Sequence, residues 1–310
     1  MKCPRCQNEN YEGARFCTAC GCMIPRESRV RKLLMALLHA FLYFGLYLLI
    51  QQGVSLGYQV MLLAQMTGNQ ILVGGTLNEE LLQQLLNDVI TLTLAHQYSL
   101  LLLSALITVL ILVFTFRLRK KDAMEELHIR PVPLARAPWY VLLGVSLQPA
   151  ARLLLALLPQ EWLQDFAENN PLNQTSDPLA VELISALIMA PVVEELIFRA
   201  LMFPRLRRGM GTFFAVLVTA GVFGLVHGHP VAFIYASVLA VVMTWLMIKN
   251  NESVIASILC HAGFNAGSYL MNLAFESTEN ELLITAMLIS SLALLILCLF
   301  MTFRPIPEKE

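Results

Sequence analysis

Two stretches of this chain, residues 99–116 and 231–248, contain no charged side chain. At ~1.5 Å per residue, each is about long enough to cross a hydrocarbon core. Buried in lipid, such a block must satisfy its backbone polar groups internally, which a helix does. The rest of the composition agrees. Of the 310 residues, 57% are hydrophobic and 14% charged, and mean hydropathy is +0.65. An average soluble domain carries about 25% charged residues, so too little polar surface is present to coat a soluble particle. The net charge of −1 offers no basic field, and no nucleic-acid partner is expected.

The fold class read from this pattern is all-α: a polytopic membrane bundle of about eight transmembrane helices after a small N-terminal module. The spans fall near residues 33–50, 99–116, 138–158, 179–203, 211–227, 231–248, 253–275 and 282–303. Residues 51–75, apolar but broken by Gln and Gly, are expected to lie on or dip into the interface. Residues 77–96 read as an amphipathic interfacial helix. No cleavable signal peptide is expected, because a polar segment precedes the first apolar run.

Charge sets the orientation. With the N-terminus inside, the inner segments hold Arg26, Arg29, Arg31, Lys32, Arg117–Lys121, Arg130, Arg136, Arg205, Arg207, Arg208, Lys249, Arg304 and Lys309. The outer segments hold Glu79, Glu80, Asp88, Glu161, Asp165, Glu168, Asp177, Glu276, Glu279 and Glu281, with no Lys or Arg. Both termini are therefore expected in the cytoplasm, and the short loops suggest a prokaryotic cell membrane. The organisation reads as 1–24, a metal module; 25–32, a basic linker; 33–178, N-terminal helices with the amphipathic segment; 179–275, a core; and 276–310, the last span and tail.

Five of the seven cysteines crowd into the first 22 residues. Cys3/Cys6 and Cys17/Cys20 form two CxxC knuckles, a spacing that suits tetrahedral zinc better than disulfides. So short a segment cannot build its own core, and metal binding would supply its folding energy. The reading is a zinc ribbon with a structural Zn2+, facing the reducing cytosol and available to a protein partner. Cys22 is a spare thiol.

Ionisable groups inside spans are costly and default to function or pairing. The fourth span carries PVVEELIFRAL. Glu195 and Arg199 are i,i+4 with the acid first, the favourable order. Glu194, about 100° round the helix, faces elsewhere. Pro191 is expected to kink the helix just before the pair. The fifth span carries FGLVH, with Phe223 and His227 at i,i+4 and Gly224/Gly228 as a close-packing face. The seventh carries HAGFN, with His261 and Asn265 at i,i+4 and Gly263/Gly267 spaced likewise. From the inner helix ends, Glu194 is 14 residues from Arg208, His227 is 16 from Gly211, and His261 is 12 from Lys249. These are depths of roughly 18–24 Å, so three helices bring polar groups to a similar level. Arg152, the other cation within a span, is expected to pair with Glu182 or snorkel; holding a substrate carboxylate is the second reading. His229 is expected to cap the turn before Pro230.

The ordered set EExxxR, FxxxH and HxxxN resembles the CAAX-protease/bacteriocin-processing (CPBP) family of intramembrane endopeptidases over about residues 179–275. The resemblance implies that Glu194 and His227 activate a water for attack on a peptide carbonyl. It implies that His261 and Asn265 stabilise the oxyanion, with Glu195, Arg199 and Phe223 as support. The substrate would be a membrane-associated protein or peptide met in the lipid bilayer. Glu194, His227 and His261 also match a catalytic zinc set of two histidines and one glutamate. Catalytic metal therefore stays open, the metal-free reading favoured by Asn265 as an oxyanion donor. The alternative function is a non-catalytic scaffold, immunity or regulatory protein acting through the ribbon. A proton-coupled carrier is disfavoured by the lack of internal repeats.

Overall fold

The computed structural model describes residues 2–11, 14–23, 28–72, 78–169, 175–276 and 281–303. Arg26, Glu279, Arg304 and Lys309 of the charge reading lie outside them. Outside the cysteine module the described residues form helices and the turns that join them; within it, two isolated antiparallel bridges join Lys2 to Glu9 and Phe16 to Met23.

Helix α1 (Arg29–Leu72) is followed by α2 (Glu79–Ala95), α3 (Gln97–Leu118), a turn of helix α4 (Ala123–Glu126) and α5 (Ala137–Leu155). A short helix α6 (Gln160–Glu168) leads to a long rod over 179–210. The rod is α7 (Leu179–Ile184), α8 (Ala190–Glu195) and α9 (Phe203–Met210), joined without a break by two π turns, Ser185–Met189 and Leu196–Met202. Then come α10 (Thr212–Leu225), α11 (Pro230–Lys249), α12 (Val254–Glu276) and α13 (Glu281–Phe303). Five of the described helices contain segments long and apolar enough to cross a membrane: Arg29–Leu72, Gln97–Leu118, Pro230–Lys249, Val254–Leu273 and Thr285–Thr302.

The interfacial stretch expected over 51–75 is instead a direct continuation of α1, helical to Leu72. Its polar residues do not break the ladder because they bond within the helix: Gln51 donates to the Tyr47 hydroxyl at 2.8 Å and Thr67 to the Leu63 carbonyl at 2.8 Å. At 44 residues α1 is ~66 Å long, about twice a hydrocarbon core. The amphipathic α2 turns back against it and buries Leu85 and Val89. Asn78 caps α2, accepting the Leu81 amide at 2.8 Å.

The core is built around α5, α12 and the rod. Helices α5 and α12 lie so close that a Cβ at Gly144 would come within 1.9 Å of the Cys260 carbonyl oxygen, and one at Gly263 within 2.1 Å of that of Val141. These glycines let two backbones touch, as small residues do in membrane bundles. Gly224 serves the α10–α11 contact, but Gly228 does not continue that face: it turns the chain at φ +73° with open space around it. Pro191 falls in the first turn of α8. A π turn over Ser185–Met189 precedes it and contains Leu187, four residues before Pro191. That widened turn accommodates the proline ring and its missing N–H. At the far end of the rod, Arg205 lies over the Tyr43 ring, 4.6 Å from its centre, and Arg207 pairs with Glu252.

Candidate active site

The rod, α10 and α12 bring the motif residues to one cavity of about 700 Å³. Glu194, Phe223, His227, His261 and Asn265 all line it. So do Arg152 of α5, Glu182 near the rod's start, and Phe166 of α6. The lining belongs to the half of the bundle that holds the start of the rod and the ends of α5, α10 and α12. It is the half opposite Arg205, Arg207 and Lys249.

His261 is the hub. Its Nδ1 lies 2.9 Å from Glu195 Oε1 and its Nε2 lies 3.8 Å from Glu194 Oε2. Glu194 lines the cavity while Glu195 is turned to Arg199, as their offset round the helix implies, yet both carboxylates reach the same ring. An imidazole presents its two nitrogens in different directions, so adjacent carboxylates can meet one ring from two sides. Glu195 Oε1 is also 3.0 Å from Arg199 Nη1, and both residues are fully buried. A carboxylate held by a guanidinium accepts rather than donates, so His261 donates its Nδ1 proton to Glu195. Nε2 is then the nitrogen turned toward Glu194. The Glu194 side chain is 17% exposed, buried enough to be restrained and open enough to reach water.

Phe223 connects the groups. Its ring centre is 4.9 Å from that of His227 and 5.8 Å from that of His261, and the Arg199 guanidinium carbon stands 4.3 Å over its face. Such a contact is attractive in a desolvated setting. His227 follows the end of α10, and its Nδ1 is 2.7 Å from the Phe223 carbonyl. A carbonyl only accepts, so Nδ1 carries the proton and Nε2 keeps its lone pair. Asn265 donates through Nδ2 to the Ala186 carbonyl at 2.8 Å, inside the first π turn. π turns recur at functional sites, and here two of them flank Glu194 and Glu195.

Two lining contacts were not legible in the motifs, and a third contact beside the cavity includes the expected His229 cap. Arg152 donates through Nη2 to Asn272 Oδ1, and Glu182 Oε1 accepts the Tyr269 hydroxyl at 2.8 Å. His229 caps α11 through its Nδ1, which accepts the Val231 amide at 3.1 Å, and its Nε2 meets Asp165 at 2.9 Å. Phe166, one residue on, packs 5.0 Å from the His229 ring, so this pair holds α6 beside the cavity. The His229 hydrogen bond keeps the Asp165 carboxyl below its ordinary range.

The four cysteines form a separate site. All their sulfurs lie within 4.8 Å of one another, with Cys3–Cys20 and Cys6–Cys17 at 3.6 Å. Four sulfurs at ~2.3 Å from one tetrahedral ion stand about 3.8 Å apart, so the spacing fits a metal. The two knuckles have matching geometry: the Arg5 amide donates to Cys3 Sγ and the Ala19 amide to Cys17 Sγ, both at 3.4 Å. The Cys17 thiol is pulled down to about 6, foremost by the Cys20 backbone amide. Buried Asn10 joins the knuckles. It donates to the Asn8 carbonyl at 2.8 Å and accepts the Thr18 amide at 2.8 Å. Nothing in the cysteine spacing pointed to it. Cys22 stays outside the cluster, its Sγ directed to the Met23 carbonyl. Among the described residues this is the group whose donors converge closely enough to hold a metal ion; Glu194, His227 and His261 do not form a second one.

No curated protein and no solved structure matches the chain. One family does. Over residues 176–267, the segment that carries Glu194, His227, His261 and Asn265, the chain is similar to the Type II CAAX prenyl endopeptidase Rce1-like family, the class of CAAX proteases to which the CPBP motifs pointed.

Proposed function

We propose that this chain is an intramembrane endopeptidase that hydrolyses a peptide bond of a membrane-associated protein or peptide. The observation that carries the reading is the convergence of Glu194, His227, His261 and Asn265 on one cavity inside an apolar helix bundle. Glu194 takes a proton from a water lying between it and His227 Nε2. The oxygen attacks the peptide carbonyl carbon, and the new C–O bond leaves an oxyanion. The second Asn265 N–H donates to that oxyanion, as does His261 when it has taken a proton from solvent on Nε2 before the attack and returns it to solvent after product release. Glu195, charge-balanced by Arg199, favours the imidazolium. The C–N bond then breaks, and the proton on Glu194 passes to the departing amine. The lack of a tight donor set at Glu194, His227 and His261 favours this metal-free course.

The Cys3, Cys6, Cys17 and Cys20 cluster is proposed to hold a structural Zn2+ and to present the ribbon to a protein partner. The cavity half lies opposite the basic ends, so with positive loops inside it is reached from the extracytoplasmic side. The test is peptide-terminus mapping of host membranes in wild type, a deletion and Glu194→Ala at equal expression. Cleaved termini should vanish equally in the deletion and the variant. If Glu194→Ala restores what the deletion loses, catalysis through Glu194 is out and the scaffold reading takes its place.

A further inference from the structure

The hairpin of α1 and α2 extends past the level at which α3 and the rod begin. The His96 ring meets Tyr58 edge-on at 6.0 Å, and the Ser99 amide and hydroxyl both donate to Asp177, just before the rod. Tyr58, the α2–α3 junction and the start of the rod thus share one level. From there α3 runs 22 residues, about 33 Å, to a basic end, which fills a hydrocarbon core. Residues 59–72 of α1 and the whole of α2 therefore stand beyond the core, by about 21 Å at Leu72. We propose that this hairpin is the surface through which two copies of the chain pair, each hairpin seated on that of the other copy.

The outer surface of the hairpin is apolar and has relief. On α2, Leu82, Leu86 and Ile90 repeat every four residues and stay 43%, 44% and 55% exposed, while Leu85 and Val89 are buried against α1. On α1, Val60, Ala64 and Ile71 form an exposed stripe, and a Cβ at the adjoining Gly68 would meet nothing. The half-buried Leu62, Leu63 and Met66 mark the face of α1 turned to α2. Counted at about 100° per residue from the two faces that meet, both stripes fall on one side of the hairpin. Two helices, each about 10 Å wide and about 21 Å tall, give a patch of roughly 400 Å², the size above which an apolar surface reads as a contact site.

Height selects a second copy as the occupant. Two copies share one depth in the bilayer, so equal heights meet across a two-fold axis along the membrane normal. At ~1.5 Å per residue from the Tyr58–His96 level, Ile90 and Ala64 both stand at about 9 Å, Leu86 and Gly68 at about 15 Å, and Leu82 and Ile71 at about 20 Å. The large side chains of α2 therefore come level with the small residues of α1 in the second copy, as knobs facing holes. Charge selects the same crossed arrangement. Helix α2 carries Glu79, Glu80 and Asp88, whereas residues 33–72 hold no charged side chain. Seating α2 on α1 of the second copy keeps the acids apart, and seating α2 on α2 sets acid against acid. Lipid tails end about 21 Å below the top of this surface, so they do not cover it.

The test counts copies of the full-length protein in phosphatidylcholine vesicles by single-molecule photobleaching, with one fluorescent tag per chain. Two bleaching steps are expected. Leu86→Glu puts an acid on the apolar patch and should weaken pairing at least about tenfold, leaving one step. Ala64→Ile fills a hole and should also weaken pairing, and adding Ile90→Ala should restore it. In host membranes, a short bis-maleimide should join a chain carrying Ala64→Cys to a differently tagged chain carrying Ile90→Cys. Asp88→Cys, on the opposite side of α2, should not be joined in this way. Equal thermal unfolding midpoints of wild type and Leu86→Glu establish that the hairpin stays folded. A single step for the wild type, pairing that survives Leu86→Glu, or no recovery with Ile90→Ala overturns the proposal. So does a link from Ala64→Cys to a different host protein in place of the second copy. None of these readouts involves cleavage, so the peptidase reading stands or falls separately.

Discussion

The cysteine module and the intramembrane site are both clusters of costly polar groups, yet they are held together in opposite ways. The cysteine cluster comes from 18 consecutive residues, with each knuckle shaped by its own backbone amides. Its buried core is small, Cys3, Ala14 and Cys17, and its four sulfurs converge closely enough to hold an ion. The glutamate–histidine site draws on residues 66 apart in sequence and is fixed by close helix packing and a buried ion pair. Its order rests on the packing of the bundle. Local chemistry makes the first site, and global packing makes the second.

The largest expected effect separates the two directly. Changing Cys3 and Cys6 to Ser should remove one zinc per chain and unfold the module, since structural zinc is worth about 10–16 kcal/mol of folding free energy. Elemental analysis and the bundle's thermal midpoint check it. The bundle midpoint should stay put; a large fall would mean that the two sites are not independent.

Next in size, Arg199→Ala leaves Glu195 buried without its guanidinium, and the bundle should lose about 3–5 kcal/mol. Adding Glu195→Gln should recover part of the loss, because an amide needs no counter-ion. Denaturant titration of the detergent-solubilised chain reads both. A loss that Glu195→Gln leaves untouched would move the cause from charge to the cavity left by the side chain.

The catalytic half of the comparison sharpens with Glu194→Gln. Proton transfer by a positioned carboxylate contributes about 10²–10⁴-fold, so cleavage should fall by that factor while zinc content and thermal midpoint hold. Activity that survives would remove Glu194 as the base. A smaller effect is expected from Gly144→Ala, which forces α5 from α12 and should cost about 1–3 kcal/mol.

The smallest effect concerns α6. The Asp165 carboxyl titrates below its ordinary value of 3.8 in the folded chain because His229 bonds its charged form. A lowered carboxylate pKa contributes stability that is present above the unfolded value and is lost as pH falls through the folded one. The protection factors of the α6 amides, exchange rates corrected for the intrinsic pH dependence, should therefore fall below about pH 4 and stay constant above it. Asp165→Asn should flatten the profile; an unchanged profile would assign the acid response elsewhere.

The sequence was most legible where chemistry is periodic or local. Apolar blocks announced helices, CxxC spacing announced the cysteine cluster, and i,i+4 pairs announced shared helix faces. It was least legible where a helix departs from its ideal period. The Gln- and Gly-containing run after residue 50 reads as a break, but Gln51, Gln59 and Thr67 each find a partner one turn back and the helix continues to Leu72. Gly228 fits a packing repeat and instead makes a turn. The π turns around Glu194 and Glu195 have no signature beyond Pro191.

By itself, then, the amino-acid sequence determined that the chain is a membrane helix bundle with a four-cysteine module and a set of ionisable residues at one depth. Composition and spacing suffice for that, because transfer into lipid and ligation by adjacent residues are local costs. Only the tertiary structure decided that His261 stands between both glutamates, that Phe223 joins two imidazoles to Arg199, and that Arg152 meets Asn272 at the far end of the same cavity. Those contacts depend on how far parallel helices slide and turn against one another. That offset is set by the summed packing of glycines such as Gly144 and Gly263 against facing backbone, which no single stretch of sequence contains.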